Sequence, residues 1–396
     1  MTNKKAETIF LSEFSLVNAL GNNNKDIQKN MFEGVRTGLV EREGLLNEGR
    51  LFVGEVNAEL PSLSTKKPYF NTRNNQLAKL ALFALENEIN DVKSLTPTHR
   101  IGVIVGTSTS GIAEGEQAIV EKNTSGEFSK NYDYRMQEMF NLAEFISEEL
   151  SIDGPAYTIS TACSSSAKAF ITAKELIHAG IIDAAIVGGV DSLCGMTVNG
   201  FTALDSTSTG LCQPSSANRN GINLGEAAAL CVLRKDKGHI RLLGCGESSD
   251  AHHMSAPHPE GEGAISAMQQ TLAEANLNAS DVDYINLHGT ATKKNDSMEA
   301  IAVDKVFGTQ TPCSSVKGMI GHTLGAAGAT EIGLCWLILQ AENTLYIPHC
   351  WDESKDEELP NIALTTVGQN KGSGFTTCLS NSFAFGGNNV SVLIGK

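Results

Sequence analysis

The chain has 396 residues, 41% of them hydrophobic and only 10 of them proline, which is enough to build a large core in one big domain or two fused halves. Forty-five acidic side chains against 30 basic ones give a net charge of −15 and a sequence pI near 5.1, which excludes general nucleic-acid binding. No stretch reaches the roughly 18 uninterrupted apolar residues of a membrane helix. Residues 1–10 are polar, with Lys4 and Lys5, and lack the apolar centre of a secretion signal, so a cytoplasmic location is expected. The nine cysteines are odd in number and contain no CxxC pair, so neither a disulfide framework nor a zinc knuckle is expected.

Apolar runs, the first two ending in glycine, predict buried strands at IGVIVG (101–106), IIDAAIVGG (181–189) and AAALCVL (227–233). Amphipathic stretches predict helices at 167–180, 264–275 and 328–342. The alternation points to an α/β protein with a largely buried sheet. GEAAALCVL, ending near residue 234, and GGNNVSVLIG, at the C-terminus, echo one another as a glycine turn followed by an apolar strand, a faint sign of duplication. Residues 351–360, WDESKDEELP, read as a solvated loop. Cys231 and Cys335 sit in apolar runs and read as small core residues.

Four segments carry chemistry. AYTIS (156–160) reads as a strand and TACSSSAKAF begins a helix, so Cys163 falls at a strand–helix elbow. Unpaired N–H groups and the positive end of the helix dipole gather at such a point and favour thiolate. DYINLHGTAT is an alternating strand ending at His288. SSVKGMIGHTLGAAGATEIG (314–333) places Lys317 and His322 before an apolar helix, in an arrangement without the GxxxxGK[ST] order of a phosphate loop. A neutral histidine there donates a hydrogen bond to a developing oxyanion. SNSFAFGGNN (380–389) combines Phe383 and Phe385 with a Gly386–Gly387 turn. Each segment alone also has a plain packing explanation.

Their order and wording together resemble the elongating β-ketoacyl-acyl-carrier-protein synthases of the thiolase superfamily: TACSSS, then HGTAT, KGMIGHTLGAAGATE and NSFAFGG. Residues 248–263 and 218–229 match as well. The resemblance implies a thiolase-like, duplicated, five-layered αβαβα fold that dimerises, with halves at 1–237 and 238–396. It implies a Cys–His–His site of Cys163, His288 and His322, supported by Lys317 and Glu331. Thr290 and Thr292 match the threonines that contact the phosphopantetheine arm. Phe385 matches the gate residue, whose N–H joins that of Cys163 in an oxyanion hole, and Phe383 lines the channel. The implied reaction is a decarboxylative Claisen condensation of an acyl-cysteine with a malonyl thioester on acyl carrier protein. It needs no metal or redox cofactor. The implied partners are that carrier and a second copy or a related ketosynthase-like subunit.

Several positions depart from the family wording. Lys293 stands where proline is usual, Asn220 where an acid follows the arginine, Ile222 where phenylalanine is usual, and Ser164–Ser166 fill the cysteine loop. This drift points to a specialised polyene or polyketide-like pathway. Carrier proteins are acidic, so a basic docking patch is expected, and Lys66, Lys67, Arg73 and Lys79 form the densest basic stretch of the N-terminal third. The rivals are a thiolase, whose second cysteine has no equivalent in FAFGG, and a non-catalytic chain-length-setting subunit, which would lack the nucleophile.

Overall fold

Strands made of small and β-branched residues can be buried on both faces, and the predicted apolar runs are packed in that way, except that residues 181–183 precede their strand and leave Ile181 exposed. The computed structural model describes residues 7–63, 67–340 and 344–396. In chain order the first part contains β1 (Phe10–Val17), α1 (Asn24–Phe32), β2 (Leu39–Glu43), β3 (Arg50–Gly54), α2 (Arg73–Leu95), β4 (Ile101–Gly106), α3 (Ile112–Ser125) and α4 (Asn141–Leu150). It continues with β5 (Ala156–Ile159), α5 (Ser165–His178), β6 (Ala184–Asp191), α6 (Gly195–Ala203), β7 (Leu224–Gly225) and β8 (Ala227–Arg234). The second part contains β9 (Arg241–Ser249), α7 (Glu262–Ala275), β10 (Tyr284–Asn286), α8 (Lys293–Phe307) and β11 (Pro312–Ser314). After these come α9 (Lys317–Ile320), α10 (Ala327–Gln340), β12 (Ala363–Leu364), β13 (Thr377–Phe383) and β14 (Asn388–Gly395). β4, β6 and β8 are buried along their whole length.

Two sets of five strands repeat one pattern. In the first, β5, β4 and β6 are parallel, β8 runs antiparallel to β6, and β1 antiparallel to β8. In the second, β11, β10 and β13 are parallel, β14 runs antiparallel to β13, and β9 antiparallel to β14. β1 meets β9 at Phe10 and Arg241, and β12 extends the far edge beside β11. The echoing segments of the sequence are β8 and β14, which occupy equivalent places in the two sets.

Helices form the other layers. α2 and α4 cover the outer face of the first set, where Leu77, Leu85, Phe145 and Ile146 meet Val103 and Ile186. α7 and α8 cover the second, where Met268, Met298 and Val303 meet Ile285 and Leu393. α5 and α10 lie between the two sets and share a core of Phe14, Phe170, Trp336 and Ile338. The result is five layers in the order α-β-α-β-α, an α/β architecture of the thiolase kind. α10 is apolar all round because it is buried all round. Gly328 lets it approach α5, since a Cβ there would lie 2.6 Å from the Ala167 Cβ. Among the described residues no helix is long and apolar enough to cross a membrane.

The loop expected at 351–360 is partly docked. Asp352 accepts from Ser216 and Asn218, and Asp356 from the buried Arg219, while Glu353, Glu357 and Glu358 are exposed.

Candidate active site

Cys163 sits in a single 3-10 turn, Ala162–Ser164, between β5 and α5. The turn is forced: Ala162 has φ 51°, a left-handed value that costs a non-glycine residue energy. Hydroxyls hold it there. Ser164 Oγ donates to Thr161 O at 2.9 Å, Ser165 Oγ to Ala162 O at 2.5 Å, and Thr161 N–H to Ser165 Oγ at 2.9 Å. Gly106, ending β4, lets α5 come close, because a Cβ there would lie 2.4 Å from Ser166 N. The serines that depart from the family wording thus build the elbow.

His322 follows α9 and brings Nε2 to 3.0 Å from Cys163 Sγ. Its Nδ1 accepts the Leu324 N–H at 3.1 Å, so the neutral ring carries its proton on Nε2. His288 lies two residues beyond β10, with its ring 5.4 Å from that of His322 and nearly perpendicular to it. Lys317 Nζ lies 3.4 Å from His288 Nδ1 and donates to His288 O at 2.5 Å, which leaves Nε2 as the protonated nitrogen of this ring too. Sγ and one nitrogen of each ring all lie within 4.8 Å of one another. Lys317 also forms a fully buried ion pair with Glu331 of α10.

Burial sets the electrostatics. It holds His288 well below its ordinary 6.5, aided by the Lys317 charge and by His322, and it does the same for His322, aided by Lys317. Both rings are therefore neutral N–H donors at pH 7. Burial raises Glu331 to about 7 against the pull of Lys317. The elbow was expected to favour thiolate, and here the structure differs: burial pushes the Cys163 thiol up to about 11. Lys317 and the backbone N–H groups of Phe385 and Cys163 pull the other way without winning. Those two N–H groups both act on the sulfur.

A cavity of about 410 Å3 opens onto these groups. Thr290 and Thr292 line it with their hydroxyls 2.9 Å apart, and Phe383 and Phe385 line it with Phe201, whose ring lies 5.4 Å from that of Phe385. The turn bearing Phe385 is held by Gly386 N–H donating to Met254 O at 2.8 Å and Ala384 N–H to Asn388 O at 2.8 Å.

Three acids that sequence reasoning missed position this site. Glu299 of α8 accepts the N–H groups of His288 and Gly289, each at 2.7 Å, and burial raises its carboxyl to about 7. Asp296 accepts from Ala291 N–H at 3.2 Å and Ser215 N–H at 2.8 Å. Asp191, ending β6, gathers the Thr107 and Thr109 hydroxyls, the Ser108 and Thr109 N–H groups and the Ala326 N–H, four residues past His322. The available signal was a carboxylate closing an apolar run at Asp191, and acids at i and i+3 in NDSMEA.

The basic stretch behaves otherwise than expected. Lys66 lies outside the described residues. Lys67 pairs with Glu144 and Glu148, Lys79 with Glu149, and Arg73 makes a two-pronged pair with the buried Glu226. Their charge is met in part by carboxylates of the same chain.

Two family models match: the N-terminal domain of beta-ketoacyl synthase over residues 52–239, and its C-terminal domain over residues 239–350. A 3-oxoacyl-[acyl-carrier-protein] synthase 2 from Rhizobium meliloti is 33% identical over 318 residues, 74% of each chain. The chain belongs to the β-ketoacyl synthase family. A 3-oxoacyl-[acyl-carrier-protein] synthase 1 from Haemophilus influenzae is 28% identical over 98% of each chain. Among solved structures, the ketosynthase ApeO in complex with its chain length factor ApeC, from Xenorhabdus doucetiae, is 44% identical. Its TM-score is 0.93, over 100% of this chain and 99% of that one. The protein is thus a ketosynthase, an acyltransferase that forms carbon–carbon bonds. As for the thiolase rival, Cys378 lies in β13 within the central core, away from the cavity.

Proposed function

We propose that this synthase elongates an acyl chain held on Cys163 with a malonyl unit, both delivered on the phosphopantetheine of acyl carrier protein. The observation that carries the proposal is one sulfur faced by two neutral imidazole N–H donors and two backbone N–H groups at the end of one cavity. Cys163 attacks the acyl thioester carbonyl, its proton leaves with the departing carrier thiol, and the acyl group passes to sulfur. A malonyl thioester then enters along Thr290 and Thr292. Its thioester oxygen receives hydrogen bonds from His288 and His322 Nε2–H. Loss of CO2 leaves an enolate whose negative charge develops on that oxygen. The enolate carbon attacks the acyl-cysteine carbonyl, the oxyanion rests on the Cys163 and Phe385 N–H groups, and Cys163 leaves as thiolate as the β-ketoacyl thioester forms, taking up one proton from solvent to restore the resting thiol. Phe385 gates the entrance beside Phe383. Lys317 and Glu331 orient His288. The chain supplies every group in these steps, with no metal or redox cofactor.

The names of the curated relatives support acyl carrier protein as the donor. A related subunit as partner, in preference to a second copy, is supported by ApeO, which is a complex with a chain length factor and is more similar to this chain than the synthases named above. The edge strand β5 pairs only with β4 among the described residues and exposes Tyr157, so it offers a ladder for a second subunit. The drift from family wording supports a specialised polyene or polyketide-like pathway. Nine cysteines, all free, support a reducing cytoplasmic location. The repeated strand pattern supports a division into 1–237 and 238–396, the first carrying the nucleophile and the second both histidines.

The test offers the purified protein, alone and with a co-expressed related subunit, a panel of acyl carriers plus malonyl carrier. A β-ketoacyl product two carbons longer supports the proposal. Absence of product and of CO2 release in both arms overturns it, and equal, fast turnover of ordinary saturated chains overturns the specialised reading.

A further inference from the structure

We propose that Lys293 and Lys294 grip the phosphodiester of the carrier's phosphopantetheine arm at the mouth of the catalytic cavity. This rests on the carrier-bound reading above and adds to it the residues that hold the arm's charge.

Both lysines line the cavity that ends at Cys163, and both are exposed. They follow directly on Thr292, and Lys293 stands where the family wording has proline. Apart from them and the two buried neutral histidines, the charged lining of the cavity is Asp205 alone. The rim therefore carries two cations to one anion, on a chain with 45 acids to 30 bases. Lys67, Arg73 and Lys79, by contrast, are all paired with carboxylates of their own chain. Neither Lys293 nor Lys294 closes an ion pair among the described residues. Asp356, a carboxylate that feels the Lys293 charge, is held by Arg219. The Thr292 hydroxyl faces Thr290 and makes no cap bond to α8, and the buried Asp296 of the first turn is held by the Ala291 and Ser215 N–H groups, so the two exposed lysines carry the positive charge of this rim. An acidic protein that must receive a phosphorylated thread needs local positive charge where the thread enters, and Lys293 and Lys294 supply it there. A lysine is a point-charge donor suited to a phosphate whose orientation changes as the arm loads and leaves.

The experiment measures the rate of acyl-adduct formation on Cys163 by intact mass, at low and at physiological ionic strength. Three donors carry the same acyl group: acyl carrier protein, acyl-phosphopantetheine and acyl-pantetheine. The proteins are wild type, K293Q/K294Q and K293R/K294R, each in the full chain with its subunit partner, and each checked for unchanged thermal unfolding. The readout is the preference for acyl-phosphopantetheine over acyl-pantetheine. Two rim charges are expected to set a preference on the order of tenfold at low salt, which the Gln pair abolishes, the Arg pair retains and salt weakens. An unchanged preference in K293Q/K294Q overturns the inference. So does a loss confined to the intact carrier, because the lysines would then meet the protein surface and not the phosphate. No adduct in wild type with any donor overturns the carrier-bound reading itself.

Discussion

Replacing His322 with alanine should separate the two halves of the reaction. The ring is 2% exposed and its Nδ1 is occupied by the Leu324 N–H, so Nε2 holds the proton and points toward Cys163. In that tautomer it is a donor and cannot take the thiol proton. Removing a donor of this kind from a preorganised, water-poor site costs about 10²–10³ in rate, or about 2.7–4 kcal/mol. The loss should fall on decarboxylation and condensation, where charge develops on the malonyl oxygen. Acyl transfer to Cys163 should change by less than about tenfold, since its oxyanion rests on backbone N–H groups that the mutation leaves in place. CO2 release from malonyl carrier protein measures the first step, and the mass of the acyl-enzyme measures the second. If acyl transfer falls as steeply as decarboxylation, the ring acts as a base and the tautomer argument is wrong.

Other outcomes follow from the same geometry. Glu299→Gln turns an amide NH2 toward one of the two N–H groups that the carboxylate accepts, and the buried clash should cost about 1–3 kcal/mol, read as a lowered Tm together with weaker condensation. Arg73→Ala leaves the fully buried Glu226 without its cation, and on the order of 2–4 kcal/mol of stability should be lost; the guanidinium is one-third exposed, which keeps the cost below that of a sealed pair. A variant that undocks the carrier without lowering Tm would contradict that account. His349 accepts Ser315 N–H and donates to Pro214 O, and burial holds it at about 4 against an ordinary 6.5. Its folded pKa is depressed, so its stabilising contribution is complete above about 6.5 and is lost as pH falls toward 4. Between pH 7.5 and 5 the wild type should therefore lose about 2 kcal/mol more than His349→Gln in denaturant unfolding, and equal losses would contradict the assignment.

The catalytic trio was legible because its chemistry is written in local words: a cysteine at a strand–helix elbow, a histidine after a strand, and a second histidine in a glycine-rich turn. The strand leading to His288 is shorter than expected. It ends at Asn286 because Gly289 at φ 39° and Ala291 at φ 65° turn the chain toward Glu299. The acids at i and i+3 in NDSMEA flag the segment but not the partner, since only the fold aims Glu299 of α8 at the backbone ten residues upstream. The partners of the basic stretch were hidden for the same reason. Glu144, Glu148, Glu149 and Glu226, which neutralise it, lie 70 to 153 residues away in sequence. The thiol's protonation was misjudged because the helix terminus is visible in sequence, whereas the depth at which Cys163 is buried is a tertiary property. The faint echo between residues 225–233 and 386–395 became a full repeat once strand pairing was known, because topology outlasts sequence similarity.

The most direct test weighs the covalent intermediate. Wild-type protein and Cys163→Ala are each incubated with an acyl-loaded carrier, digested and mapped. The expected result is one acyl group, located on Cys163 in wild type and absent from the variant, with condensation abolished in the latter. An acyl group found on any other residue, or a Cys163→Ala protein that still makes β-ketoacyl product, would contradict the claim that this sulfur carries the growing chain.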